Sequence, residues 1–103
     1  MSVPVQITFE EIEPSKAFEV FIREKAAKLD AFRHITACRC ALSFTARRDH
    51  HRHAFHVRLE VDVPGFPPIV VSREHDRDHV HADAHVAIRD AFAMARRELH
   101  LLQ

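Results

Sequence analysis

The histidines of this sequence are numerous and closely spaced, so they could bind a metal. The 103-residue chain has ten histidines, and neutral imidazole is a common metal ligand. One group comprises His79, His81 and His85, with His75 and Asp83 nearby, and another comprises His50, His51, His53 and His56. Neither matches a closed ligand set such as CxxC followed by HxxxH. We predict no metal or other cofactor, and retain as the alternative a His-rich metal-binding or pH-responsive protein using His79, His81 and His85.

The cysteines and the closest acid pair do not form a catalytic arrangement. Cys38 and Cys40 are two residues apart in an apparent strand, so both should face the core, where a thiol without an activating cation is unreactive. Glu60 and Asp62 share a strand face, but acid/base catalysis needs a cleft around them. Gly65 is the only glycine, which excludes Gly-rich phosphate loops. We therefore predict that the protein is not an enzyme and has no small-molecule substrate.

Basic residues offer the chemistry of phosphate binding. Fifteen Lys and Arg balance fifteen Asp and Glu, and such a balance argues against nucleic-acid binding by net charge alone. Arg89, Arg96 and His100 nevertheless follow one line at helical spacing, and no acidic residue falls on that line, whereas ordinary exposed helix faces mix charge signs. Arginine also suits bidentate contact with phosphate. An ordinary solvated helix face remains the alternative.

Lys25 is the most informative cation because it occupies an apolar helical stripe. An unpaired ammonium cannot be buried, so the aliphatic stem must run over the core and place the charge at its edge. We expect this edge to be a groove between the two helices. There it would either pair with Glu98 or another carboxylate, or contact a phosphate. Spacing alone leaves both alternatives open.

A second cluster of cations, Arg47, Arg48 and Arg52, lies in the polar stretch 46–53. We predict a loop or hairpin tip there. A basic loop can contact phosphates by electrostatic attraction without fixed geometry, but a tip that only promotes solubility fits the pattern equally well.

Periodicity places these residues in the order β-α-β-β-β-α. Alternating residues predict strands and helical spacing predicts helices. The predicted strands are 3–9, 35–44, 55–63 and 69–73, the predicted helices are 16–32 and 83–102 with Ser15 and Asp83 as N-caps, and 74–82 is a loop. Each strand has one apolar face, so both helices should cover one side of a four-stranded sheet. The expected fold is a single α+β domain over residues 1–103, similar to double-stranded RNA-binding domains.

Nothing in the sequence indicates a membrane partner. No apolar run approaches the roughly 20 residues that cross a bilayer, and the first residues, MSVPVQITFEEIEP, do not resemble a secretory signal. We expect a cytoplasmic location.

Several segments together resemble the short hibernation promoting factors, also called ribosome-associated inhibitors or ribosomal subunit interface proteins. The matching segments are VQITF, REKAAKLDAF followed by HITACRCALS, HVRLEVDVPG, and AIRDAFAMARRELH. The resemblance implies binding to the small ribosomal subunit and its ribosomal RNA in non-growing cells. There the domain would occupy the messenger channel near the A and P sites and block translation, without the C-terminal domain that pairs ribosomes in longer relatives.

The resemblance also bears on individual residues. Lys25 and Lys28 fall at the family's helix-one lysines and Arg97 at the arginine of its closing motif, whereas Met94 and Glu98 replace a frequent lysine and a frequent glutamine. The full set of predicted RNA-binding residues is Lys25, Lys28, Arg23, Arg89, Arg96, Arg97, Arg47 and Arg48. Tyr and Trp are absent and the eight Phe mostly fit core positions, so we expect recognition of phosphates and backbone shape without base stacking.

Overall fold

Four strands and two helices form the part of the chain that this computed structural model describes, residues 3–47, 52–77 and 80–102. In chain order they are β1 (Val5–Glu10), α1 (Lys16–Phe32), β2 (Ala37–Arg47), β3 (Arg52–Asp62), β4 (Ile69–Arg77) and α2 (Val80–Leu101). The predicted α+β class and the β-α-β-β-β-α order are confirmed.

The sheet follows the sequence order β1-β2-β3-β4. β1 pairs with β2 in parallel, while β2–β3 and β3–β4 are antiparallel. A parallel pair needs a long crossover connection, and α1 supplies it. Because side chains alternate between the two faces of each strand, one face of the sheet is buried. Cys40, Leu42 and Leu59 on that face are at most 1% exposed. Both helices cover that face, and the opposite face stays open to solvent.

Each helix packs through a stripe of apolar residues. In α1 the buried residues are Phe18, Ile22, Ala26 and Leu29. The predicted N-cap is confirmed, since the Ser15 Oγ accepts a hydrogen bond from the Phe18 backbone N–H at 3.3 Å. The buried face of α2 combines alanines with larger apolar residues, namely Ala84, Ala87, Ile88, Ala91, Phe92, Ala95 and Leu99. No helix within the described ranges is long and apolar enough to cross a membrane.

Three predicted boundaries were wrong because polar residues extend the regular elements beyond the core. β2 continues to Arg47 and β3 begins at Arg52, so part of the predicted loop 46–53 is a hairpin ladder. β4 likewise continues to Arg77 instead of ending at Arg73. Ladder hydrogen bonds join backbone groups and do not require apolar side chains, so alternation of apolar residues underestimates strand length.

The predicted N-cap at Asp83 was also wrong. α2 begins at Val80, so Asp83 is the fourth residue of the helix.

The PGFPP turn, in contrast, is confirmed. The Phe66 backbone N–H donates to the Val63 carbonyl at 3.2 Å. Gly65 has a φ of 81°, which a type II turn requires at this position and which glycine adopts without steric cost.

Candidate nucleic-acid interface

The predicted basic residues converge in a groove between α1 and α2. The helices lie side by side in the same direction, since Phe21 near the start of α1 contacts His85 and Phe32 at its end contacts Arg96. The groove has a volume of about 190 Å³. Its lining, here called the inter-helix groove, consists of Lys25, Lys28, Leu29, Arg89, Phe92, Ala93 and Arg96.

The composition of the inter-helix groove favours anions. Leu29 and Phe92 form an apolar floor and are only 3% and 4% exposed. Four cationic side chains surround this floor, and no carboxylate from the described residues lines it. Charges of one sign in a cleft with apolar walls produce a concentrated field. The groove therefore offers a local positive potential that a net charge of zero conceals.

Lys25 lies in the inter-helix groove, as its position in the apolar stripe indicated. The side chain is half-buried, and its Nζ lies 5.5 Å from the centroid of the Phe21 ring, a cation–π contact. The alternative partner, Glu98, is exposed. No ion pair joins Lys25 to Glu98 within the described residues, which leaves the ammonium available to a ligand in the groove.

Arg96 and Arg89 approach the same groove from α2. The Arg96 guanidinium carbon lies 4.5 Å above the centroid of Phe32 on α1, so this cation bridges the two helices. Arg89 is 61% exposed, and its Nε is 3.8 Å from the Asp90 Oδ1. Because that distance exceeds a hydrogen bond, the contact restrains Arg89 only weakly.

Two other predicted RNA-binding residues, Arg23 and Arg97, lie outside the groove lining. Arg23 and Arg97 are exposed on α1 and α2 respectively. Arg47 ends β2, and the position of its side chain is not described. Arg48 lies outside the described residues. The structure thus brings together four of the eight predicted residues, Lys25, Lys28, Arg89 and Arg96.

The three histidines of the alternative hypothesis are only partly described. His79 lies outside the described residues, and His81 belongs to α2 with a side chain that is not described. The His85 ring packs edge-on against Phe18 and Phe21, with centroid distances of 4.9 and 4.8 Å. In the described part of the chain, no three His, Cys, Asp or Glu residues converge as metal ligands. Metal binding by these histidines stays the alternative hypothesis.

Glu60 and Asp62 on the open sheet face both interact with the Arg39 side chain. Arg39 donates to both Asp62 carboxylate oxygens, at 2.9 and 2.7 Å, and its Nη2 is 3.2 Å from the Glu60 Oε1. Hydrogen bonds from Arg39 lower the pKa of Asp62. On the opposite face, burial raises the pKa of Cys40 to about 12, so this thiol stays protonated and unreactive at neutral pH.

The Arg39–Asp62 pair predicts a specific acid sensitivity. The Asp62 pKa is depressed in the folded protein, so the pair stabilises the fold fully above the unfolded pKa of about 3.9. That contribution disappears as pH falls below this value towards the folded pKa. We expect Asp62→Asn to lower the melting temperature at pH 7, with the difference from the wild type shrinking below pH 4. Melting curves between pH 2 and 7 check this, and a difference that is constant with pH would contradict it.

Arg33 is a positioning residue that the sequence did not indicate. Its Nη1 donates to the carbonyls of Leu99 and Leu102, both at 3.0 Å, and its guanidinium lies 5.2 Å above the Phe66 ring. A cation that donates to carbonyls at the C-terminal end of a helix stabilises that end. Because Arg33 directly follows α1, these hydrogen bonds link the C-terminal end of α2 to the C-terminal end of α1. The only sequence signal was an arginine directly after a predicted helix.

Comparisons with known proteins bear on the fold and on the family. The crystal structure of the Thermus thermophilus Protein Y N-terminal domain matches 95% of this chain and 94% of its own, with a TM-score of 0.65 and 19% sequence identity. This likeness shows a shared fold. A search of curated proteins found no significant match.

The sequence itself identifies the family. A family model described as "Sigma 54 modulation protein / S30EA ribosomal protein" matches residues 5–102. The match spans every strand and helix of the fold, and it includes all four cations of the inter-helix groove. The predicted relationship to the hibernation promoting factors is thereby confirmed. The chain belongs to the Sigma 54 modulation protein / S30EA ribosomal protein family of ribosome-associated hibernation and modulation factors.

Proposed function

We propose that this protein binds the small ribosomal subunit in non-growing cells and blocks translation, with the inter-helix groove contacting ribosomal RNA phosphates. The observation that carries the proposal is the convergence of Lys25, Lys28, Arg89 and Arg96 on one groove, whose lining includes no carboxylate in the described part of the chain. In a chain with no net charge, such a concentration of cations needs an explanation beyond solubility. RNA phosphates are the abundant polyanion on a ribosome.

The geometry suits backbone contacts rather than sequence reading. Lysine acts on phosphate as a point charge and arginine as a planar fork, and the groove contains both types. Phosphate contacts position a protein on RNA without specifying a base sequence. A rigid domain held in this way in the messenger channel, near the A and P sites, would exclude messenger RNA sterically. We propose inhibition by occupancy, in the cytoplasm, without catalysis, small-molecule substrate or cofactor.

Co-sedimentation with separated ribosomal subunits across a salt series tests the proposal. We expect untagged protein to be retained on the small subunit at low salt and released steeply as salt increases. If four cations each neutralise one phosphate, log K should fall against log salt with a slope of about −3 to −4. Equal retention on both subunits, or retention on neither, would contradict small-subunit binding by the folded protein.

A further inference from the structure

We propose that Phe32, Arg96 and His100 form a stacking site for one unpaired RNA base at the C-terminal end of the inter-helix groove. This inference rests on the proposed function and adds a second ligand chemistry to it. The groove cations would hold the phosphates on either side of the base, while the stacking site would hold its planar ring.

Phe32 has the exposure that such a site requires. It is 39% exposed, although it is large and apolar and occupies the last position of α1. The other seven phenylalanines are buried or half-buried, as the sequence suggested for most of them. The expectation that no aromatic ring serves for stacking therefore does not extend to Phe32.

Arg96 and His100 of α2 both contact the Phe32 ring. The Arg96 guanidinium carbon lies 4.5 Å above the ring centroid, and the His100 ring centroid lies 6.2 Å away with a tilt of 34°. Arg96 and His100 are four residues apart, so they lie on the same side of α2. Both are exposed. Aromatic rings and guanidinium planes are the groups on which proteins stack unpaired RNA bases.

The stacking site is continuous with the phosphate-binding groove because Arg96 belongs to both. A ligand that fills both must carry a planar apolar group beside negative charges. Single-stranded RNA has this combination at every nucleotide, since each base is flanked by two phosphates. In duplex RNA the bases are already stacked, so the site favours single-stranded RNA over a helix.

A titration with two backbones of equal charge separates stacking from phosphate binding. The ligands are hexaadenylate and a six-unit ribose-phosphate chain without bases, and the readout is the NMR signal of the Arg96 side-chain N–H in the labelled protein. The wild type should bind hexaadenylate about tenfold more tightly than the abasic chain, as expected for one stacked base. Phe32→Leu keeps an apolar side chain and should reduce this ratio to near one, whereas Phe32→Tyr should preserve it.

The outcomes distinguish this inference from the proposed function. A ratio near one in the wild type overturns the stacking site, and so does failure of both ligands to bind at millimolar concentration. Equal loss of affinity for both ligands in Phe32→Leu also overturns it, because Phe32 would then only position Arg96. The proposed function would still stand in these cases if the protein is retained on the small subunit with the expected salt dependence.

Discussion

Replacing Lys25 and Arg96 together with glutamate is expected to lower affinity for the small ribosomal subunit by about 100-fold or more at low salt. The two residues approach the inter-helix groove from opposite helices, and each is placed by a ring, Phe21 for Lys25 and Phe32 for Arg96. Loss of two charge-assisted contacts, at about 1.5 to 3 kcal/mol each, corresponds to at least this factor. Quantitative co-sedimentation or fluorescence anisotropy measures it.

A matched control is available outside the inter-helix groove. Arg58 and Arg73 are exposed on β3 and β4 and do not line the groove, and their double replacement by glutamate changes the net charge equally. We expect that variant to lose only the small part of affinity due to long-range attraction, which salt screens. The groove variant should also show a salt dependence that is shallower by about two units of slope. Equal effects of the two variants would contradict binding through the groove.

Leu59→Ala is expected to have a large effect on stability. Leu59 lies at the centre of β3, paired with Cys40 on one side and Val71 on the other, and it is 0% exposed. Truncating a fully buried leucine costs about 2 to 5 kcal/mol, because apolar contacts are lost and a cavity remains. Domains of this size are stable by only about 5 to 15 kcal/mol. Denaturant unfolding monitored by circular dichroism gives the change in the free energy of unfolding.

Val70→Ala provides the comparison for that measurement. Val70 is adjacent to Val71 in the same edge strand, but it points to the open side and is 49% exposed. Its truncation should cost under about 1 kcal/mol, in the range of most surface changes. A Leu59→Ala variant no less stable than Val70→Ala would show that the core does not lie between this sheet face and the helices.

The sequence alone determined the order of the elements and the composition of the core. The pattern in β3, where Phe55, Val57, Leu59 and Val61 point inward, follows from the two-residue repeat of a strand. The spacing in α2 follows from the 3.6-residue repeat of a helix, and both repeats are set by the local backbone conformation. Lys25 could be placed at the groove for the same reason, since its position within an apolar stripe already constrained the ammonium. Element ends were harder, because backbone pairing at Arg47 and Arg77 does not depend on apolar side chains.

Only the tertiary structure decided which charged residues act together. Arg96 meets Phe32 across 64 positions of sequence, and Arg33 meets the last carbonyls of α2 across 66 and 69 positions. Arg23 and Arg97, in contrast, have the same residue type but lie outside the groove. Charge has no periodic signature of its own on an exposed surface. Which cations lie together depends on how α1 and α2 pack on the sheet. Burial of apolar side chains drives this packing, and those residues are not the cations that the packing brings together.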